Sequence, residues 1–267
     1  MSFDLRLGTR DRKPVESAAV SAWAKARGNF VNDFARYDNA ATGVYFTMAI
    51  DGRELDVNIN FNRPSYFGNE SFEVLGALCR ELGLLASNPQ AGTTLEPFDT
   101  ESLLASYAKG NAAAVGAIAA VGQKPAMMAR TDALSLWRYR KVKDRLHAEL
   151  EAEHGEDYMV PDLVVVTHGG RALRMAFIPE PTYYVMPATD LFMFKRGPLT
   201  CIARAEPILR GLEGFFTPIK QYPGLRRSTE DALFERMAEW SKLLAKCEVA
   251  FQPHQVARVA LDGFADE

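Results

Sequence analysis

The sequence predicts an α+β protein with two antiparallel sheet units and helices packed on one face of each. Three observations carry that expectation. From Thr42 to Gln90 an alternating strand, an Asp51-Gly52 turn, a second alternating strand and an amphipathic helix follow in close order. Beyond Gly155, two further strand-like runs flank Gly169-Gly170. Between and after these ribbons, apolar residues recur at helical spacing.

Taken in order, the first stretch, MSFDLRLGTRDRK, alternates Phe3, Leu5 and Leu7 with polar residues as a first strand does, and it lacks the continuous apolar region of a signal peptide. Pro14 stands where a helix begins and Gly28 where it ends, with Val15, Ala18, Ala19, Ala22, Trp23 and Ala26 at helical spacing between them. Phe30 to Tyr37 reads as a weaker strand and Asp38 to Ala41 as a turn, so the next hairpin completes a three-stranded meander. With Asp51-Gly52 as the central pair of a two-residue turn, Met48 pairs with Leu55, Phe46 with Val57 and Val44 with Ile59 on an apolar face. The opposite face pairs Ala49 with Glu54, Thr47 with Asp56, Tyr45 with Asn58 and Gly43 with Asn60, the wet side of a half-buried ribbon. Asn62-Arg63-Pro64 ends the ladder, because proline has no donor to continue it. A helix is expected over Ser71 to Leu82, with Phe72, Leu75, Cys79 and Leu82 on one stripe and Gly83 at the stop.

Asn88 to Phe98 is rich in turn formers. Asp99 reads as the cap of a helix carrying Leu103, Leu104 and Tyr107 into an alanine-rich segment, where Gly110 and Gly116 read as close-packing positions. Gln123 to Arg130 is the expected linker, since Lys124-Pro125 breaks the helix before Thr131 starts another. That helix runs to about His154 with Leu134, Trp137, Leu146 and Leu150 turned inward. Met159 to Thr167 and Arg171 to Ile178 form the second hairpin. Val164 and Val166 face Leu173 and Met175, while Leu163 and Val165 make the first strand apolar on its other side, as for a strand covered on both faces. Thr182 to Val185 and Asp190 to Phe194 read as further strands separated by Pro187. Ser228 caps a last helix containing Leu233, Met237, Trp240 and Leu244. The expected organisation is an N-terminal α+β unit over residues 1–123 and a C-terminal α+β unit over 131–267, halves that can share one core.

With 267 residues, 48% hydrophobic and 24% charged, the composition is that of a folded soluble chain. A formal charge of −3 supplies no global field toward nucleic acid or anionic lipid. The apolar stretches around 112–121 and 163–166 are too short to cross a bilayer. Cys79, Cys201 and Cys247 lie far apart and form no C-x-x-C pair, which points to reduced thiols and a cytoplasmic setting.

Several constellations bear on chemistry. His168-Gly169-Gly170 is shared with a backbone-donor motif of some esterases, but no G-x-S-x-G elbow accompanies it, and a tight hairpin accounts for both glycines. His147, Glu151 and His154 fall at i, i+4 and i+7, a spacing that permits a metal and equally describes a solvated helix end; no metal or cofactor is assigned. Arg226-Arg227 beside Gly224 could grip a phosphate or carboxylate, yet no basic stripe with interleaved aromatics surrounds them, so nucleic acid is not expected. The wet side of the first hairpin holds Tyr45, Asp56, Asn58 and Asn60, continued by Asn62 and Arg63. Successive amides are unusual there, and Tyr45 adds contact area with a polar tip. These six residues form either a recognition surface or a hydrated polar network.

At TGVYF (Thr42 to Phe46), INFNRPSYFGNE (Ile59 to Glu70), NPQ (Asn88 to Gln90) and VMPATDLFMF (Val185 to Phe194) the chain resembles a group of uncharacterised bacterial proteins. Some of these look like immunity or accessory proteins encoded near secreted-toxin and type VI secretion genes. The resemblance covers much of the chain but rests on turns and strand ends, so it carries no catalytic residue. The expected function is a non-enzymatic, cytoplasmic protein that binds another protein, with no membrane partner. The rival expectation is a hydrolase-type enzyme whose carboxylates and arginines meet only on folding, with Asp190, Glu180 and Asp162 as members.

Overall fold

The computed structural model describes residues 1–155 and 158–267; within the last long helix, side chains are described from residue 235 onward. The chain forms two compact units, Met1–Ala133 with Leu261–Glu267, and Leu134–Ala260. The class is α+β with antiparallel sheets. The final segment, which the sequence places with the C-terminal half, thus belongs with the first unit.

The first unit comprises β1 (Ser2–Thr9), α1 (Ser17–Lys25), β2 (Phe30–Val31), β3 (Arg36–Asn39), β4 (Val44–Asp51), β5 (Glu54–Asn60), α2 (Tyr66–Leu82), β6 (Leu84–Ser87), α3 (Thr100–Ala120) and β7 (Ala126–Met128). Six strands make one antiparallel sheet in the order β2-β3-β4-β5-β1-β6. Helix α2 packs across β4, β5 and β6, with α1 and α3 against it. The side chains that alternation turns inward, Phe3, Leu5, Leu7, Val44, Phe46, Met48, Leu55, Val57 and Ile59, are all buried. Phe3 meets Phe72 of α2 and Tyr107 of α3 edge-on at 5.6 and 5.8 Å.

The hairpin register differs from expectation by one step of the turn. The structure pairs Asp51 with Glu54, Ile50 with Leu55, Met48 with Val57 and Thr47 with Asn58, so Gly52-Arg53 are the central residues. Gly52 takes the positive φ of 62° at the first central position, a geometry that costs glycine little. Each residue moves to a partner two places along, and because the pleat repeats every two residues both faces keep their membership. The weaker strand from Phe30 is itself a small hairpin, β2–β3, turning through Asn32 and Asp33 at positive φ.

Helix α2 begins at Tyr66, five residues before the expected start. Proline, glycine and asparagine in RPSYFGNES disguise its first turns. Pro64 precedes the helix, where a missing donor costs nothing, and Gly68 is required because a Cβ there would lie 2.6 Å from the Tyr107 ring. Asp99 caps α3, accepting from the backbone N–H groups of Glu101 and Ser102, and Gly83 closes α2 in the left-handed conformation. Gly110 packs directly on the Phe61 ring, but Gly116 faces open space and is no packing position. The expected linker holds β7, which pairs in parallel with the C-terminal strand Phe264–Asp266. Parallel neighbours need a long connection, and a partner so distant in sequence leaves no local signature.

The second unit contains most of α4 (Arg130–His154), then β8 (Val164–His168), β9 (Arg171–Phe177), β10 (Val185–Met186), β11 (Leu191–Arg196), β12 (Leu199–Arg204), α5 (Ala205–Gly211), β13 (Phe216–Pro218), β14 (Arg226–Ser228), α6 (Glu230–Lys246) and β15 (Ala257–Val259). Five of its strands run β12-β11-β9-β8-β15, antiparallel except that β11 lies parallel to β9. A small antiparallel sheet, β10-β14-β13, stands apart from them. Val164 opposes Met175 and Val166 opposes Leu173 as expected, and Leu163, Val165 and Val166 are all buried. On α4 the inward residues are Leu136, Tyr139, Leu146 and Leu150, whereas Leu134 and Trp137 are half-buried. Ser228 does not cap α6: Thr229 occupies that position, and Ser228 is buried, its Oγ accepting from the Tyr184 N–H. Met237 is exposed, Trp240 and Leu244 are buried, and Leu233 lies outside the described side chains.

Candidate functional site: the open face of the first sheet

The other side of the first sheet is open at its middle, while at one end the Tyr45 ring meets Phe67 of α2 edge-on at 5.6 Å. Thr47 and Ala49, in the middle of β4, are exposed, while Asp4, Tyr45, Asp56, Asn58 and Asn60 are half-buried. The face is a ladder of cross-strand polar pairs. Asn58 donates to Asp4 Oδ1 at 2.6 Å, Arg6 Nε lies 3.4 Å from Asp56 Oδ1, and Asn60 donates to the Tyr45 hydroxyl at 3.3 Å. The first two pairs are set directly opposite by the β1–β5 register. Tyr45 is held further by Arg63, which donates to its hydroxyl at 2.8 Å, and by the Arg36 guanidinium 4.6 Å over its ring.

The six residues singled out in sequence therefore separate into three places. Tyr45, Asn60 and Arg63 meet at one end of the face. Asp56 and Asn58 sit mid-face and line a hollow of about 440 Å³ together with Asp4, Thr47 and Ala49. Asn62 turns away from the face. It adopts a positive φ of 60°, which asparagine tolerates, and its N–H and that of Arg63 donate to the Asn111 side chain at 2.6 and 3.3 Å. Asn111 also donates to the Arg63 carbonyl at 2.8 Å, so it stands in for the strand that Pro64 terminates. Its signal in sequence was a single amide within an alanine-rich helix.

Toward the β4–β5 turn the face opens into a concavity of about 1050 Å³, with Arg6, Arg10, Arg12, Lys13 and Arg53 on its walls alongside Asp51, Glu54 and Asp56. Arg12 holds a positive φ of 56°, and its carbonyl accepts from Arg53. Asp11 beside Lys13 has its carboxyl lowered to about 2 by hydrogen bonds from Lys13 and Thr9. This end of the surface carries both signs of charge.

Two further carboxylates frame the hairpin. Glu70, buried in α2, accepts from the Tyr37 hydroxyl at 2.8 Å, Asn39 Nδ2 at 2.6 Å and Thr42 Oγ at 3.0 Å, pinning the chain that enters β4. Asp266 accepts from the Ser65 N–H at 2.8 Å and Oγ at 2.5 Å at the start of α2, and burial raises its carboxyl above the usual range despite those bonds. Neither was visible in sequence, because both act through contacts distant along the chain.

The other constellations stay apart. Gly169 and Gly170 both have positive φ in the β8–β9 turn, as a plain hairpin requires, and the His168 ring packs against Phe251 at 4.4 Å. Among the described residues no group of three His, Cys, Asp or Glu side chains is placed to hold a metal ion, and His154 instead packs on Tyr158. Arg226 and Arg227 are consecutive in β14 and so project to opposite sides. Asp190 is bound by Arg174 through Nε at 3.1 Å and Nη at 2.9 Å, Asp162 by Lys143 at 2.6 Å, and Glu180 is exposed. Asp190 and Asp162 thus take different cationic partners. All three cysteines are free, and burial pushes the Cys79 thiol up to about 12, so it is protonated at neutral pH. No helix of the described residues is long and apolar enough to cross a membrane. No protein-family model matches the chain, and no curated protein or solved structure matches it.

Proposed function

We propose that the chain is a non-enzymatic, cytoplasmic binding protein whose recognition surface for another protein is the open face of the first sheet. One observation carries the reading: the centre of a six-stranded sheet, at Thr47 and Ala49, lies exposed in one hollow beside a second, larger concavity and is bordered by polar side chains already oriented by their neighbours. Side chains fixed in advance lose less entropy on association, and a mixed-charge surface selects a partner by complementarity more than by bulk hydrophobic area. The resemblance at INFNRPSYFGNE supports a bacterial toxin or effector as the partner, with this chain as its immunity or accessory protein.

Asn58 and Asn60 are poor places to test this, since each bonds within the sheet. Thr47 and Ala49 are exposed, so Thr47→Arg/Ala49→Arg adds bulk without removing a contact. Wild-type bait in cells of the source is expected to retain one protein in near-equal amount, and that protein, purified, to bind wild type but not the double variant at unchanged melting temperature. Retention of the partner by a folded double variant, or recovery of none, removes the proposal.

A further inference from the structure

We infer that the second unit carries a binding groove for a small organic acid, an apolar body bearing one carboxylate or phosphate, between α4 and the loop 219–225. The loop is closed by its own backbone hydrogen bonds. In Tyr222-Pro223-Gly224-Leu225 the Leu225 N–H donates to the Tyr222 carbonyl at 3.0 Å, with proline at the second position and Gly224 at φ 88° in the third, the signature of a type II turn. The Ile219 N–H bonds the Leu225 carbonyl at 3.0 Å and the Tyr222 N–H bonds the Ile219 carbonyl at 3.1 Å, so the segment closes on itself.

Facing it, Arg138, Val142 and Arg145 fall at i, i+4 and i+7 on one side of α4, with the two arginines about 10 Å apart along the helix. The groove is open along one side and holds about 480 Å³, within the range of small-molecule sites, and no acidic side chain lines it. Val142, Pro223 and Leu225 make the walls largely apolar. The two cations differ. Arg145 donates to the Tyr222 hydroxyl at 3.1 Å and lies 3.6 Å from Glu149, which itself accepts from that hydroxyl at 2.7 Å; these contacts fix the far end and temper its charge. Arg138 makes no hydrogen bond or ion pair with any described residue. An unpaired guanidinium beside an apolar wall in a chain of net charge −3 is placed to meet the acid group, which it can grip in bidentate fashion.

The experiment is titration calorimetry of the full chain with 1-naphthoate, 1-naphthyl phosphate and octanoate, with methyl 1-naphthoate as the uncharged control. Binding of at least one acid, one molecule per chain, is expected, with affinity about tenfold lower or less for the ester and for Arg138→Gln. Arg138 is exposed, so its variant should melt as wild type does, and Val142→Glu, which puts a carboxylate on the groove floor, should abolish binding. Naphthoate without naphthyl phosphate assigns the carboxylate source, and the reverse assigns the phosphate. The inference is overturned if none of the three acids binds, if the ester binds as well as its acid, or if a folded Arg138→Gln protein binds with unchanged affinity.

Discussion

The β4–β5 hairpin and the β8–β9 hairpin have the same plan, two antiparallel strands joined by a two-residue glycine turn, yet only the first keeps a face in water. In β4, buried Val44, Phe46 and Met48 alternate with half-buried Tyr45 and exposed Thr47 and Ala49; in β8, the neighbours Val165 and Val166 are both buried. What distinguishes them is the period of hydrophobicity along one strand. Strict alternation leaves one side free to become a recognition surface, whereas a continuous β-branched run commits both sides to packing. The carboxylates follow suit: Asp190 at the second hairpin is spent on buried Arg174, while Asp56 on the first reaches only an exposed Arg6.

The comparison predicts a contrast between adjacent positions. Phe46 is 1% exposed and stacks on Tyr37 at 4.9 Å, so Phe46→Ala should cost about 3–5 kcal/mol in urea unfolding, whereas Thr47→Ala at the exposed neighbour should change stability by no more than about 0.5 kcal/mol. A loss below about 1 kcal/mol would mean that the apolar face is not the core. In β8 the contrast should vanish: Val165→Ala and Val166→Ala each remove two methyl groups from a buried site and should each cost about 2 kcal/mol. If only one of the pair matters, β8 is half-exposed like β4 and the distinction collapses.

A smaller, pH-dependent effect belongs to the exit of the first hairpin. Burial raises the Asp266 carboxyl above its unfolded value near 3.8, so between the two the native state holds more protons than the unfolded chain. This group's contribution to stability is therefore complete below the unfolded value and is lost as pH rises through the folded one. Asp266→Asn is neutral throughout and can still accept from the Ser65 N–H. Its melting temperature relative to wild type should be highest at neutral pH and fall as pH drops toward 4. A difference that grows on acidification shows that the carboxylate is the form the fold prefers.

Much of this was legible in the chain. Alternation in residues 44–51 and 54–60 tells which side chains face inward even though the turn lies one residue later than the sequence suggests, because faces survive a two-residue change of partner. Asp99 and Gly83 marked helix ends through local backbone chemistry. What stayed hidden depends on strand order. Nothing near Asn58 announces that Asp4 will sit opposite, nothing near Asn62 announces Asn111, and residues 126–128 look like a linker because their partner strand lies at the other end of the chain. The wet side of the first hairpin could be recognised in sequence; whether its amides would be free or already paired could not.

That pairing sets the smallest effect. Arg6 and Asp56 are directly opposed across β1 and β5, but their side chains are 53% and 39% exposed, so solvent screens the interaction. Arg6→Ala should change stability by no more than about 0.5 kcal/mol. Under the proposed function it should nevertheless weaken capture of the partner, because Arg6 borders both concavities of the open face and a charge lost there removes complementarity that folding does not need. Measured together, unfolding and binding separate the two uses of the ladder: a variant that unfolds early and binds normally makes the open face a structural surface, and one that unfolds normally and binds weakly makes it a recognition surface.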